Sequence, residues 1–217
     1  MITLYYHPGN ASLAPHILLH ELGVPFELAR VDREHDAHKS PAYLALNPNG
    51  LIPVLQDGDL VIYETVAILM HLADTHPAAR LAPPLASAER AHYYKWMLWF
   101  SNTMQATLLH YFYPERVVDE GNVDGAAQVK AHAEAKVAGC LAQLDAQFAR
   151  HGGDWLLGAS YTAADAMAFL MCRWTRMFEQ QRPAREYAHL APYLQRMLAR
   201  PAVLRAVATE QLKPPLV

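Results

Sequence analysis

Apolar and polar positions change rhythm near residue 80. Ahead of it, short β-favouring runs alternate with helical spacing; beyond it, strand signals are almost absent. Ile2-Thr3-Leu4-Tyr5-Tyr6 predicts a strand that stops at the turn cluster His7-Pro8-Gly9. Leu13, Ile17, Leu18 and Leu22 share one face of a helix that Gly23 ends. Phe26 to Val31 reads as a second strand. Pro53-Val54-Leu55-Gln56 and Leu60-Val61-Ile62-Tyr63 flank Asp57-Gly58-Asp59, the pattern of a hairpin. Thr65 can cap a helix running through Ile68, Leu69 and Leu72. The order β-α-β, a middle segment, then β-β-α predicts a small sheet with helices packed on it.

Pro77 to Pro84 is rich in Ala and Pro and reads as a linker region. From Ser87 onward the spacing predicts helices over 87–113, 124–150, 163–178 and 188–198, with a short one at 201–209. The expected organisation is an α+β domain over 1–80, a linker over 81–87 and an all-helical domain over 88–217. Composition adds exclusions. With 53% hydrophobic and 18% charged residues, a chain of 217 residues can offset its ordering entropy by burial, so disorder is excluded as the main state. The net charge of −3, without a basic stripe, argues against nucleic acid as a partner. The apolar run Ala166 to Cys172 is far too short to span a membrane, and the N-terminus carries no secretory pattern. Two cysteines, Cys140 and Cys172, exclude a disulfide framework and point to a reducing, cytoplasmic setting.

Three short motifs carry a resemblance. Asn47-Pro48-Asn49-Gly50-Leu51-Ile52-Pro53-Val54 is similar to a loop that ends in a cis-proline. Tyr63-Glu64-Thr65-Val66-Ala67-Ile68 is similar to a Glu-Ser pair at a helix start. Gly158-Ala159-Ser160-Tyr161-Thr162-Ala163-Ala164-Asp165 has the S/T-x-x-acid pattern of a capping box. In this order and at these spacings the chain resembles the cytosolic glutathione transferases over nearly its whole length. The resemblance implies a thioredoxin-like N-terminal domain, glutathione as co-substrate, a small hydrophobic electrophile as acceptor, a role in detoxification and a homodimer.

Physical chemistry gives each motif a role. Proline lowers the cost of a cis peptide to roughly 0.5–1 kcal/mol. A cis Ile52-Pro53 bond is expected to present the N–H and C=O of Val54 at the sheet edge, where the cysteinyl unit of glutathione can pair like an added strand. Glu64 and Thr65 stand where free N–H groups attract a carboxylate; Thr65 can donate to the γ-glutamyl carboxylate and Glu64 can accept from its ammonium. Thr162 and Asp165 belong to folding, with Tyr161 as the apolar partner ahead of the cap.

The co-substrate reacts as a thiolate, and an ordinary thiol has a pKa of about 8.5. Lowering it by two units requires roughly 2.7 kcal/mol of differential stabilisation, the size of one or two good hydrogen bonds. Pro8-Gly9-Asn10-Ala11-Ser12-Leu13-Ala14 is similar to the beta-class stretch whose cysteine falls on Ala11 here, so a mixed disulfide with the protein is excluded. The catalytic serine of the delta and theta classes falls on Asn10. An amide can donate to a thiolate but cannot act as a base. Asn10 ranks first as the thiolate donor, Ser12 second, as donor or N-cap, and Tyr5 or Tyr6 third. By resemblance His38 meets the glycyl carboxylate, with Lys39 an adjacent cation, although a solvated charge cluster explains both. Leu51 stands where many relatives place a lysine. Trp99, Gln105 and Tyr113, with Tyr6, are the expected acceptor pocket, and Asn102 is expected to reach the partner subunit's γ-glutamyl group.

His16-x-x-x-His20 has a spacing zinc can use, yet no third ligand is evident and no metal site is expected. The expected activity is transfer of glutathione to an electrophile. Disulfide exchange or peroxide reduction through bound glutathione, and non-catalytic binding, are the alternatives.

Overall fold

β-branched and aromatic residues at Ile2–Tyr6 form strand β1, and Ile2 and Leu4 turn into the core. Strand β2, Phe26–Arg30, lies parallel to it; β3, Val54–Asp57, runs antiparallel on its other side, and β4, Leu60–Tyr63, closes the sheet in the order β2-β1-β3-β4. The Asp57-Gly58 hairpin is present, with Gly58 at φ +60°. Between β1 and β2 runs helix α1, Leu13–Leu22. It is buried from Leu13 to Leu19 and stopped by Gly23, whose positive φ lets its N–H reach Leu19 O. A short α2, Pro41–Leu44, and α3, Thr65–Thr75, complete the thioredoxin-like part.

The computed structural model describes all 217 residues. They divide into two units, Met1–Leu85 with Leu198–Lys213, and Ala86–Met197 with Pro214–Val217. The stretch 198–213 is therefore part of the first unit, whereas the sequence reading gave everything from 88 onward to the helical domain. Its helix α9, Pro201–Thr209, packs on α1. Arg200 holds it there through two bonds to the Glu21 carboxylate at 2.6 and 2.8 Å, and Arg205 donates to His20 O. Helical periodicity reports the buried face of 201–209 but not which sheet or helix covers it.

In the second unit the stretch expected as one helix over 87–113 is divided. Helix α4, Ala88–Trp99, passes into a π-helical segment, Phe100–Gln105, and resumes as α5, Ala106–Phe112. The wider turn does not change which residues are apolar, so the sequence carries no sign of it. The 29-residue α6, Val123–His151, is capped by Asn122, whose side chain accepts from Gly125 N–H, and ends at Gly152 in the left-handed region. Helix α7, Ala163–Trp174, is buried on every side. The Asp165 carboxylate at its start accepts from Leu156 N–H and Thr162 N–H, each at 2.8 Å, and from the Thr162 hydroxyl. Tyr161 is half-buried, with its ring edge-on to Trp155. Helix α8, Leu190–Ala199, sets Tyr193 against α7, where its hydroxyl donates to Asp165 O.

Candidate active site

Strand register gathers the motif residues of the first unit at one end of the sheet. Tyr5 lies opposite Val54, and Val54 opposite Tyr63. The chain leaving β1 toward Asn10, the chain entering β3 through Ile52-Pro53 and the chain leaving β4 into Glu64-Thr65 therefore meet there. Tyr6 pairs with Arg30, so residues 31–33 leave β2 at that end as well.

The β1–α1 connection is a tight turn. Asn10 N–H donates to His7 O at 3.1 Å, with Pro8 and Gly9 central and Gly9 at φ +71°. That value is the type II requirement for a positive φ at the third position. Ser12 braces the turn from inside: its hydroxyl donates to His7 O and accepts from His7 N–H, and the residue is completely buried. This corrects the expectation of Ser12 as a side-chain cap. Its backbone is already helical (φ −59°, ψ −20°) and its side chain makes no cap bond; its hydroxyl proton goes to His7 O. Asn10 is half-buried, and its Oδ1 accepts from Arg33 Nη1 at 3.2 Å. A guanidinium only donates, so Arg33 fixes which way the amide faces and leaves the Nδ2 hydrogens for another acceptor. His7 Nδ1 donates to Val31 O, holding the ring against β2.

The Ile52-Pro53 bond is cis. Val54, however, is fully buried and belongs to an interior strand between β1 and β4. Its backbone is not at an edge, which corrects the expectation for that residue. The accessible backbone is that of Ile52, on the outer side of the cis bond, where neither the sheet nor the neighbouring loops engage it. Tyr43 Oη and Asn47 Nδ2 both donate to Leu51 O, at 2.9 and 2.8 Å, and so fix the peptide that delivers Ile52.

Thr65 is the first residue of α3, and the cap position falls to Glu64, at φ +74° and ψ 113°. No side chain caps this helix, contrary to the expectation for Thr65, so the first N–H groups of α3 remain open to a ligand. A positive φ in a residue with a Cβ costs of order 1–3 kcal/mol. Glu64 is exposed and Thr65 buried. His38 is largely buried, and burial, followed by the Arg33 guanidinium, lowers its pKa. A neutral imidazole can donate one hydrogen bond to a carboxylate but brings no charge; Arg33 supplies the charge nearby. Lys39 is exposed and paired with Asp36 at 2.9 Å. Tyr5 lies edge-on to Tyr43, while Tyr6 turns to the opposite face with its ring 6.1 Å from that of His16.

In the second unit, the π segment rotates the residues around it. Trp99 is half-buried against Trp96 and Phe100, Asn102 is exposed and Gln105 half-buried. Tyr113 ends α5 with the Arg116 guanidinium 3.9 Å from its ring centre. Across the chain, no group of three or more His, Cys, Asp or Glu side chains is placed to hold a metal ion, and no helix is long and apolar enough to cross a membrane.

Residues 1–74 match the family model of the glutathione S-transferase N-terminal domain, and residues 100–201 that of the C-terminal domain. A glutathione S-transferase of Escherichia coli O157:H7, GstA, is 32% identical over 98% of this chain and 100% of its own length. The chain belongs to the glutathione S-transferase family. Among solved transferase structures, a Sulfitobacter homologue with bound glutathione superposes with a TM-score of 0.87 at 27% identity, covering 98% of this chain and 99% of its own. A beta-class enzyme of Sphingomonas chungbukensis gives 0.81 at 28% identity, over 97% and 100%. Arg33, which holds the Asn10 amide, and Glu210, whose carboxylate accepts from Gly9 N–H, both touch the 7–10 turn, and sequence reasoning passed over both. Arg33 lies in Asp32-Arg33-Glu34-His35-Asp36, which has the pattern of a solvated run, and Glu210 lies in a helix end far along the chain.

Proposed function

We propose that the chain binds glutathione at the open end of its sheet and presents the thiolate to a small hydrophobic electrophile. The observation that carries the proposal is the convergence of three unsatisfied features on one sheet end. These are the unengaged Ile52 backbone, the uncapped N-terminus of α3 and the Asn10 amide oriented by Arg33. Each matches one part of the tripeptide. An extended cysteinyl unit pairs with Ile52. The γ-glutamyl carboxylate meets Thr65 and the first N–H groups of α3, with Glu64 accepting from the ammonium. The glycyl carboxylate lies toward Arg33 and His38, and Asn10 Nδ2 donates to the sulfur. Trp99, Gln105 and Tyr113 are proposed as walls for the acceptor.

The proposal extends to a cytoplasmic homodimer, in which the exposed Asn102 reaches the glutathione bound by the partner subunit. Supporting the dimer are exposed apolar residues at Leu51, Leu98 and Leu109, and sedimentation equilibrium at micromolar concentration tests it. The activity is tested by assaying an aryl chloride, an organic hydroperoxide and a small disulfide side by side with glutathione. Turnover greatest with the aryl chloride is expected. Turnover confined to the disulfide or hydroperoxide replaces the transfer reading, and glutathione binding without turnover on any of the three leaves only a binding protein.

A further inference from the structure

Glu210 breaks a local rule. It stands at the C-terminal end of α9, where the helix carries partial negative charge and favours cations. Its side chain is nevertheless a carboxylate with no exposed surface. A carboxylate stripped of water persists where protein donors replace the water, and two do so here. Oε1 accepts from His16 Nδ1 on α1 at 2.8 Å, and Oε2 accepts from Gly9 N–H at 2.8 Å. Nothing in α9 requires this arrangement. The bonds run instead to the turn that holds Asn10, across 201 residues of chain for Gly9 and 194 for His16.

The peptide that Glu210 grips is the Pro8–Gly9 peptide, the central one of the turn. Type I and type II turns differ by a flip of that peptide, and glycine at the third position tolerates either. With its N–H directed at a buried carboxylate, the peptide is locked with Gly9 at φ +71°; the flipped form would direct Pro8 O at the same negative charge. His7 is braced by Ser12, the Asn10 side chain by Arg33 and the central peptide by Glu210. The grip is itself rigid, because the Arg200–Glu21 pair and the Arg205–His20 bond hold α9 against α1.

We infer that Glu210 is a positioning residue for thiolate formation, fixing the Pro8–Gly9 peptide so that Asn10 is held at the sulfur. The inference rests on the reading of the 7–10 turn as the place where the sulfur of glutathione binds. It predicts that geometry matters more than charge. In Glu210→Gln the amide oxygen still accepts from Gly9 N–H, while the amide nitrogen donates to His16 Nδ1 after a change of tautomer. In Glu210→Ala both donors lose the carboxylate.

Both variants and Asn10→Ala are prepared full length. The pH titration of the thiolate absorbance of bound glutathione, and kcat and KM with an aryl chloride, are measured beside melting curves and nitrogen-15 spectra of the ligand-free proteins. Glu210→Ala is expected to raise the bound thiol's pKa by about one unit, equivalent to a tenfold change in the ionisation equilibrium, with most of the loss in kcat. It is also expected to shift or split the Gly9 amide signal, and Glu210→Gln to recover most of both effects. A purely structural role would lower the melting temperature and leave the pKa of the folded protein unchanged, which overturns the proposal. Should Glu210→Ala not fold, the wild type still decides: a Gly9 amide that exchanges with solvent like an open loop overturns the proposal, and a protected, downfield one supports it. Asn10→Ala separates the two levels. If it leaves the thiol pKa unmoved, the reading of Asn10 fails; if it moves the pKa and Glu210→Ala does not, the positioning role fails.

Discussion

Replacing Asn10 by alanine removes one neutral donor from the thiolate and leaves the turn's backbone intact, since the 7–10 bond is made by main-chain atoms. A hydrogen bond to a charged group contributes about 1.5–3 kcal/mol. Asn10 is half-buried, so solvent partly replaces the lost donor, and the lower end of that range applies. About 1.4 kcal/mol is one pKa unit. If the bound thiol starts at about 6.5, two units below a free thiol, the variant brings it to about 7.5. The thiolate fraction then falls about threefold at pH 7 and about eightfold at pH 6, and is nearly unchanged at pH 9. Titrating the thiolate absorbance of bound glutathione measures this directly, and the pH profile of turnover should follow it. Ser12→Ala is the internal comparison. Its buried hydroxyl serves only His7, so its loss should cost about 1–3 kcal/mol of stability with the thiol pKa unmoved. An Asn10→Ala titration that coincides with the wild type would refute the assignment, and a pKa shift in Ser12→Ala would refute the commitment of its proton to His7.

Other consequences are equally direct. Thr65→Ala should weaken glutathione binding by about 1–3 kcal/mol, because an ionised carboxylate loses a donor at the uncapped end of α3; calorimetry showing wild-type affinity would exclude that contact. Asp165→Ala should destabilise the chain by about 3–5 kcal/mol, since Leu156 N–H, Thr162 N–H and the Thr162 hydroxyl all lose their acceptor inside the helical unit; urea unfolding measures it. Burial, with smaller contributions from His16 and Arg205, pushes the pKa of His20 down to about 4 from 6.5. The unfolded chain therefore binds the extra proton first, so stability is lost as pH falls through the window from 6.5 to 4. Because His20 is only partly buried, the loss is discounted to about 1–2 kcal/mol, and His20→Gln should flatten that part of the stability curve.

The local signals were legible because they depend on neighbours in the chain. The β1-α1-β2 and β3-β4-α3 order, the Asp57-Gly58 hairpin, the Gly23 stop and the Thr162–Asp165 start of α7 are set within a few residues. So are the three motifs by which the family was recognised. Misplacements arose where a residue's role depends on what surrounds it in space. The alternation of β3 says that Val54 is inside but not that β3 lies between two strands, so the open backbone is found two residues earlier, at Ile52. Ser12 has the chemistry of a cap, and only its helical backbone and the His7 peptide above it turn its hydroxyl away from that role. Arg33 reads as one charge in a solvated run until the end of β2 brings it to the Asn10 side chain. Glu210 is the extreme case. A pattern with a reach of a few residues cannot register a carboxylate gripping a peptide 201 residues away, and that contact exists only because α9 packs back onto α1. Most elements, the family and the chemical types at the site were readable along the chain, because they follow from local propensity and short motifs; the π segment at Phe100–Gln105 was not. Which atoms remain unsatisfied, and which way they face, emerged only on folding, because hydrogen-bond satisfaction is settled when distant segments compete for the same donors and acceptors.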